Sequence, residues 1–375
     1  MFQPTWTGDL NNVTVAKTVV VTGATGNVGT ALLRQLTTTD EVRVIGVARR
    51  VPEPDAEPYR NVHWVPCDLG EPDAVDTLTT ALDGADVVVH LAWAIHPRQD
   101  EPSLWRTNVT GTRHLLQAIA RTGADHVIAG SSVAAYTPAP HWSRVSENWA
   151  TDGIGTSAYS RSKVWLEREL DAFAHDHPGI ALSRIRPCAI VQRDAAGEFA
   201  RWLLGALVPS SWVGRPWLPL PLWPNLRLQL IHADDVATAI VAVLARRAEG
   251  AFNVAGEPVL RPHDIADALG GVRLPLPKPV VSAASRLAWR TGLHPLHPGW
   301  LELADKAALA DTTRARTELG WEPAHGAVET LRSLAVGLRE DAGTTSAVLA
   351  PHAFGSLYQR WKTATWGRPS HQSQD

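Results

Sequence analysis

The first run of apolar positions without alternation is Thr18–Thr22, three valines between two threonines, which reads as a strand buried on both faces. It ends in Gly23-Ala24-Thr25-Gly26-Asn27-Val28-Gly29, and apolar residues then recur at Val28, Ala31 and Leu32, the spacing of a helix reaching Leu36. The alternation continues. Strands are predicted over 42–47, 62–67, 85–91 and 126–131, with helices over 73–82 and 108–121 between them. A helix capped by Thr156 follows to His175, and 181–191 reads as one further strand. The rhythm breaks over 199–224, a stretch rich in tryptophan, leucine and proline. It resumes with a strand at 228–232, a helix at 234–245 and a strand at 251–254, and helical spacing returns over 311–321 and 327–338. Strand and helix in repeated alternation predict an α/β fold, a doubly wound parallel sheet of Rossmann type. A smaller, mixed C-terminal substrate lobe completes it.

The organisation expected from this pattern has four parts. Residues 1–17 form a leader, and 18–192 a dinucleotide-binding Rossmann domain completed by about 228–258. Residues 193–227 and 259–340 form the substrate lobe, and 341–375 a tail from which Tyr358, Trp361 and Trp366 could dock. Composition narrows the function classes. With 35 basic and 38 acidic residues the chain has no charge excess suited to nucleic acid. Two cysteines, Cys67 and Cys188, exclude a disulfide framework and a cysteine-rich metal site, and no metal is expected. No apolar run is long enough to cross a bilayer, and the first 17 residues lack the layout of a signal peptide. A soluble, cytoplasmic protein is the expectation.

The chemistry begins at the glycine turn. A strand that runs into such a turn leaves N–H groups at the positive end of a helix, which suits a pyrophosphate. Gly23 permits the tight turn, Gly26 a close approach of backbone to phosphate, and Gly29 close packing of helix on strand. Tyr159 and Lys163 stand four apart near a helix start and share a face, where an ammonium can lower a phenol's pKa. Ser131 and Ser132 close the preceding strand on the edge where open α/β sheets bind ligands.

Several short motifs then fall in one order. They are Thr22-Gly23-x-x-Gly26-x-x-Gly29, Asp68-Leu69, His90-Leu91-Ala92, Asn108-x-x-Gly111-Thr112, Ser132-x-x-x-Tyr136, Tyr159-x-x-x-Lys163 and Arg186-Pro187. Ile231-His232-Ala233-Asp234-Asp235 and Glu318-Leu319-Gly320-Trp321 follow further on. Over about 17–338 the chain resembles the extended short-chain dehydrogenase/reductases, the NAD-dependent epimerase/dehydratase family. The resemblance implies that Tyr159 is the general acid/base, that Lys163 binds the nicotinamide ribose, and that Ser132 polarises the substrate. It places the cofactor along Gly23, Thr25, Gly26, Asn27, Val28, Gly29, Asp68, Leu69, Leu91, Ala92, Asn108 and Pro187, with Tyr159 and Lys163 at its nicotinamide end. It also implies a homodimer through the helices that carry Asn108 and Tyr159, to which Trp165 would contribute.

Two departures from the family pattern refine this. Where an acidic residue would bind the ribose 2′-OH, the chain has Ala48 followed by Arg49 and Arg50, which suit a 2′-phosphate. NADP(H) is therefore the preferred cofactor, with NAD(H) possible. The asparagine and arginine of the nucleotide-sugar enzymes are replaced by Ala189 and Leu228, with Arg227 one residue away. The expected activity is hydride transfer between nicotinamide C4 and a carbonyl or alcohol of an apolar small molecule. Trp202, Leu203, Leu207, Trp212, Trp217 and Trp223 are expected to wall its pocket. The same stretch could instead pack the lobe's own core or rest on a membrane surface. Two rival functions stand beside the reductase: a nucleotide-sugar epimerase or dehydratase, and a non-catalytic NADP-sensing protein.

Overall fold

The computed structural model describes residues 18–38, 42–98, 102–204 and 209–351, the side chains of Trp202 and Leu203 aside. The leader, Leu207 and the tail tyrosine and tryptophans lie outside the described residues. The chain opens with β1 (Thr18–Thr22), α1 (Asn27–Leu36), β2 (Arg43–Ala48), β3 (Val62–Pro66), α2 (Ala74–Ala81) and β4 (Val87–His90). Then come α3 (Pro102–Trp105), a π-helical turn (Arg106–Thr110), α4 (Gly111–Thr122), β5 (His126–Gly130), β6 (Arg144–Val145) and α5 (Ala158–Asp176). The remainder runs β7 (Ala181–Pro187), β8 (Ala189–Val191), α6 (Ala196–Leu203), β9 (Pro219–Leu222), β10 (Leu230–His232), α7 (Ala233–Arg246) and β11 (Gly250–Val254). It closes with α8 (Pro262–Leu269), β12 (Val272–Pro275), α9 (Lys278–Arg290), α10 (Gly299–Lys306), β13 (Leu309–Ala310), α11 (Thr313–Leu319) and α12 (Ala327–Glu340).

Seven strands make one parallel sheet in the order β11-β7-β5-β4-β1-β2-β3. The order reverses at β1, between β2 and β4. This is the switch point at which open α/β sheets leave a crevice beyond the carboxyl ends of their strands. Apolar side chains cover both faces. Val19, Val21 and Val89 enter one core with α1 and α7, while Val20, Val88 and Leu115 enter the other with α2, α4 and α5. Such burial on both sides is why the strands read as continuous apolar runs. His90 ties the layers together. Its Nδ1 lies 2.8 Å from Thr22 Oγ1 and its Nε2 3.0 Å from Thr112 Oγ1, and burial pushes its pKa down to about 3.

Two predicted boundaries move. The helix cap is Ser157 rather than Thr156: the Ser157 side chain accepts from Ser160 N, and Thr156 stands in the turn before it. The stretch 181–191 is two strands. Pro187 has no N–H to continue the ladder, Cys188 N bonds Val254 O, and β8 leaves the sheet to pair with β10.

Candidate active site

Three side chains meet beyond the carboxyl ends of β5 and β7. Ser132 stands just past β5, its Oγ accepting from Ala134 N and donating to Pro187 O at 3.4 Å, and its hydroxyl is near enough to the Tyr159 phenol to act on it. Ser131 points elsewhere, donating to Glu167 Oε1 at 2.5 Å. Between the two serines, only Ser132 reaches the phenol. Lys163, one turn after Tyr159, is 2 % exposed; its Nζ donates to Gly130 O at 2.8 Å and sits 3.6 Å from the centroid of the Trp93 ring.

The electrostatics differ from the sequence expectation. Burial raises the Tyr159 phenol, with the Ser132 hydrogen bond acting against it. Burial also pushes Lys163 down to about 7, partly offset by the Glu167 charge. A lysine that titrates near neutrality, with its Nζ 5.9 Å from the tyrosine ring centroid, does not by itself lower that phenol.

Under these residues lies a buried charge network that the pattern of the chain did not reveal. Glu167 of α5 receives Arg186 Nε and Nη2 at 2.8 and 2.9 Å, and Arg184 Nη1 stands 3.3 Å away. Arg186 Nη1 donates onward to Tyr136 Oη and Glu147 O, and Tyr136 Oη donates to Asn253 Oδ1. Burial alone would raise the Glu167 carboxyl, but the arginines and Ser131 hold it below the usual carboxylate range.

A cavity of about 440 Å³ opens on Tyr159, walled by Trp93, Leu104, Trp105, Trp165 and Trp300, with His96, Arg161 and Ser162 among its polar lining. The Tyr159 and Trp300 rings lie 5.3 Å apart. None of Trp212, Trp217 and Trp223 lines this space. Trp223 is buried and donates to Asp305, whereas Trp212 and Trp217 pack edge to face on the outside. Pro219 and Pro221 cannot donate to a ladder on both sides, so β9 is confined to a two-stranded edge pair with β12.

The glycine turn is a cradle. A Cβ on Gly23 would stand 2.5 Å from Ala92 N, and one on Gly29 2.3 Å from Gly23 O. At Gly26 the nearest atom is Gly23 O at 3.3 Å, so backbone is bare on that side, and α1 has no side-chain cap. These residues fit the pyrophosphate of a dinucleotide, which they could hold with backbone N–H groups. Asn27 is held by Gln192 Nε2 and itself donates to Ile190 O, and Thr25 O accepts from Ser346. Val28 is half-buried beside them.

The other cofactor candidates occupy more constrained positions. Asp68 is paired with Arg106 at 2.9 Å and accepts from Gly70 N. Leu69 is buried, its carbonyl 2.8 Å from His114 Nδ1. Leu91 N and Ala92 N bond to Thr22, which fixes the segment past β4. Asn108 spends its carboxamide on Ala94, receiving N–H at 2.7 Å and donating to O at 2.9 Å, so it shapes that loop. Arg49 and Arg50 are exposed just past β2, and neither enters an ion pair among the described residues. No metal was expected; His232, Asp234 and His325 come together, yet His232 Nδ1 already accepts from Asp234 N and His325 Nδ1 lies 3.0 Å from Asp235 Oδ1.

A family model, NAD dependent epimerase/dehydratase, matches residues 19–255. An uncharacterized protein of Mycobacterium tuberculosis is 26% identical over 327 residues, covering 87% of this chain and 30% of its own length. The chain thus spans less than a third of that relative. A Synechocystis protein with the provisional name dihydroflavonol 4-reductase is 31% identical over 237 residues, 60% of this chain and 62% of its own. Among solved structures, UDP-glucose 4-epimerase of Thermus thermophilus in complex with NAD has a TM-score of 0.63 and 18% identity, covering 86% of this chain and 99% of that one.

Proposed function

The chain belongs to the NAD-dependent epimerase/dehydratase family of short-chain dehydrogenase/reductase enzymes, and from that premise we propose that it is an NADP(H)-dependent oxidoreductase of an apolar carbonyl or alcohol. The observation that carries this reading is Tyr159, with Lys163 one helical turn away, on the rim of a cavity walled by four tryptophans. Pockets for small molecules are mostly apolar with a few placed polar groups, and this one has that character. When bound, the nicotinamide supplies or accepts hydride at C4 and contributes a positive charge near the phenol. Ser132 holds the substrate oxygen against Tyr159, whose hydroxyl donates or takes the proton. Lys163 holds the ribose and shares in the charge balance. The tryptophan walls keep water from the reacting carbon. Ala189, exposed where the nucleotide-sugar enzymes carry asparagine, leaves this side without an amide for a nucleotide.

Arg49 and Arg50 support the preference for NADP(H), because exposed guanidinium groups without ion-pair partners are available to a 2′-phosphate. Replacing Arg49 with alanine should weaken NADP(H) binding roughly 10- to 100-fold and leave NAD(H) nearly unchanged. Calorimetric titration of both cofactors checks this; equal affinities in the wild-type protein would sink it.

One observation favours a second reading, a nucleotide-sugar epimerase. Arg227 is 4 % exposed with Nε and Nη1 unpartnered, and burial lowers its pKa against the Asp305 charge. A diphosphate would satisfy those nitrogens. Incubation with NADPH and a panel of aryl ketones, run beside UDP-glucose binding, decides between the two. The reductase reading expects NADPH oxidation with ketones and no saturable UDP-sugar binding. Tight UDP-glucose binding without any response to ketones overturns it in favour of the epimerase.

A further inference from the structure

The helix α9 carries apolar residues on its outer face as well as its inner one. None of its residues is buried, and its most exposed face carries Val280 at 50 % and Leu287 at 64 %, with Ala283 and Ala284 between them. Val281, Ser282, Ser285, Ala288 and Trp289 lie on the more covered side, Val281 against the core of the lobe. A helix whose outer face meets only water carries polar residues there.

Its neighbours continue the surface. The strand β12, immediately before α9, is exposed throughout, with Val272 at 52 % and Leu274 at 43 %. It pairs in parallel with β9, on which α9 also packs. Next to β9 stand Trp212 and Trp217, exposed with ring centroids 5.0 Å apart. Leu293 is exposed beyond the end of α9.

Charge identifies what this surface meets. One residue in ten of the chain is acidic, yet residues 199–233 and 268–301 contain no aspartate or glutamate at all. The pairing of β9 with β12 brings those two acid-free runs together. Arg215, Arg273, Arg286 and Arg290 are exposed on them, and none enters an ion pair among the described residues. An apolar face flanked by tryptophan and unpaired arginine, where Glu302 and Asp305 of α10 are taken up by Lys278, complements a surface that is apolar below and anionic above.

We propose that the surface formed by α9, β9 and β12 docks on anionic phospholipid membranes. Val280 and Leu287 enter the headgroup–acyl boundary, Trp212 and Trp217 lie at headgroup depth, and Arg286 and Arg290 pair with lipid phosphates. No helix among the described residues is long and apolar enough to cross a bilayer, so the contact is peripheral. The proposal stands apart from the catalytic reading, since it involves none of the residues around Tyr159.

Flotation of the full chain with vesicles of phosphatidylcholine alone, and of phosphatidylcholine mixed with phosphatidylglycerol, tests it. Partitioning is expected onto the anionic vesicles, weakened as salt rises. Changing Arg286 and Arg290 together to glutamine should cost about 25-fold in partitioning at low salt, taking each arginine as about fivefold. Leu287→Glu should abolish partitioning without lowering the thermal midpoint, because its side chain is exposed. If that variant does not fold, the double arginine variant alone decides. Failure of the wild-type chain to float with anionic vesicles overturns the proposal, as does equal, salt-insensitive binding to neutral ones. A dimer by sedimentation that Leu287→Glu dissolves, in a protein that ignores vesicles, makes this a self-association surface and overturns it too.

Discussion

Replacing Tyr159 with phenylalanine should lower turnover about 100- to 10,000-fold while leaving NADP(H) affinity near its starting value. The change removes one hydroxyl and little packing, because the ring keeps its place against Trp300, 5.3 Å away. What would be lost is the proton carrier of the proposed reaction. The neighbouring lysine should behave differently. Lys163→Ala takes away a group assigned to both ribose and charge, so cofactor affinity and turnover should fall together. The two variants are separable by measuring cofactor binding by fluorescence titration beside single-turnover hydride transfer. A phenylalanine variant with most of its turnover intact would falsify the assignment of Tyr159 as acid/base. Loss of cofactor binding in that variant would instead point to a tyrosine that only shapes the pocket.

What could be read from the chain was whatever local pattern encodes. The parallel strands announced themselves because burial on both faces demands unbroken apolar runs, as in Val19–Val21. Tyr159 and Lys163 were legible because four residues make one helical turn, and Ser132 because it closes a strand. Asn108 shows the limit. The resemblance assigned it to the cofactor, but its carboxamide is engaged by the backbone of Ala94, a contact without any local signature. The cavity at Tyr159 is walled by Trp93, Trp105, Trp165 and Trp300, and the expected Trp212 and Trp217 stand outside it. Pro219 and Pro221 do announce an edge strand, since two prolines in one short strand exclude it from a sheet interior. Trp93 was within reach, a bulky residue directly after Leu91-Ala92 at the end of β4. Trp300 was not, because nothing in its own segment ties it to Tyr159. The same holds for Glu167, whose partners Arg184 and Arg186 arrive from β7.

That network should give the largest stability effect in the molecule. Arg186 and Arg184 are 5 % and 14 % exposed at their side chains, and Glu167 is the carboxylate between them. Glu167→Ala leaves the buried Arg186 guanidinium without its carboxylate, whereas Arg184 keeps Asp171 at 2.6 Å. Removing one partner of a buried pair typically costs about 3–5 kcal/mol. Glu167→Gln keeps a hydrogen-bond acceptor but not the charge, and should lose a smaller part of that stability. The acid limb of the pH profile gives an independent reading. The arginines hold the folded Glu167 pKa below its unfolded value, which is about 4.3. Its contribution is therefore complete above that pH and disappears as pH falls through the depressed folded value. Urea titrations of the wild-type and Glu167→Gln chains between neutral and acid pH should thus show a gap that closes on acidification. Ser131, which donates to Glu167, stands next to Ser132, so both variants should also lower kcat more than they raise KM. A Glu167→Ala protein as stable as the wild type at neutral pH would show that Arg186 finds another partner, and the network would lose its place as the footing of the site.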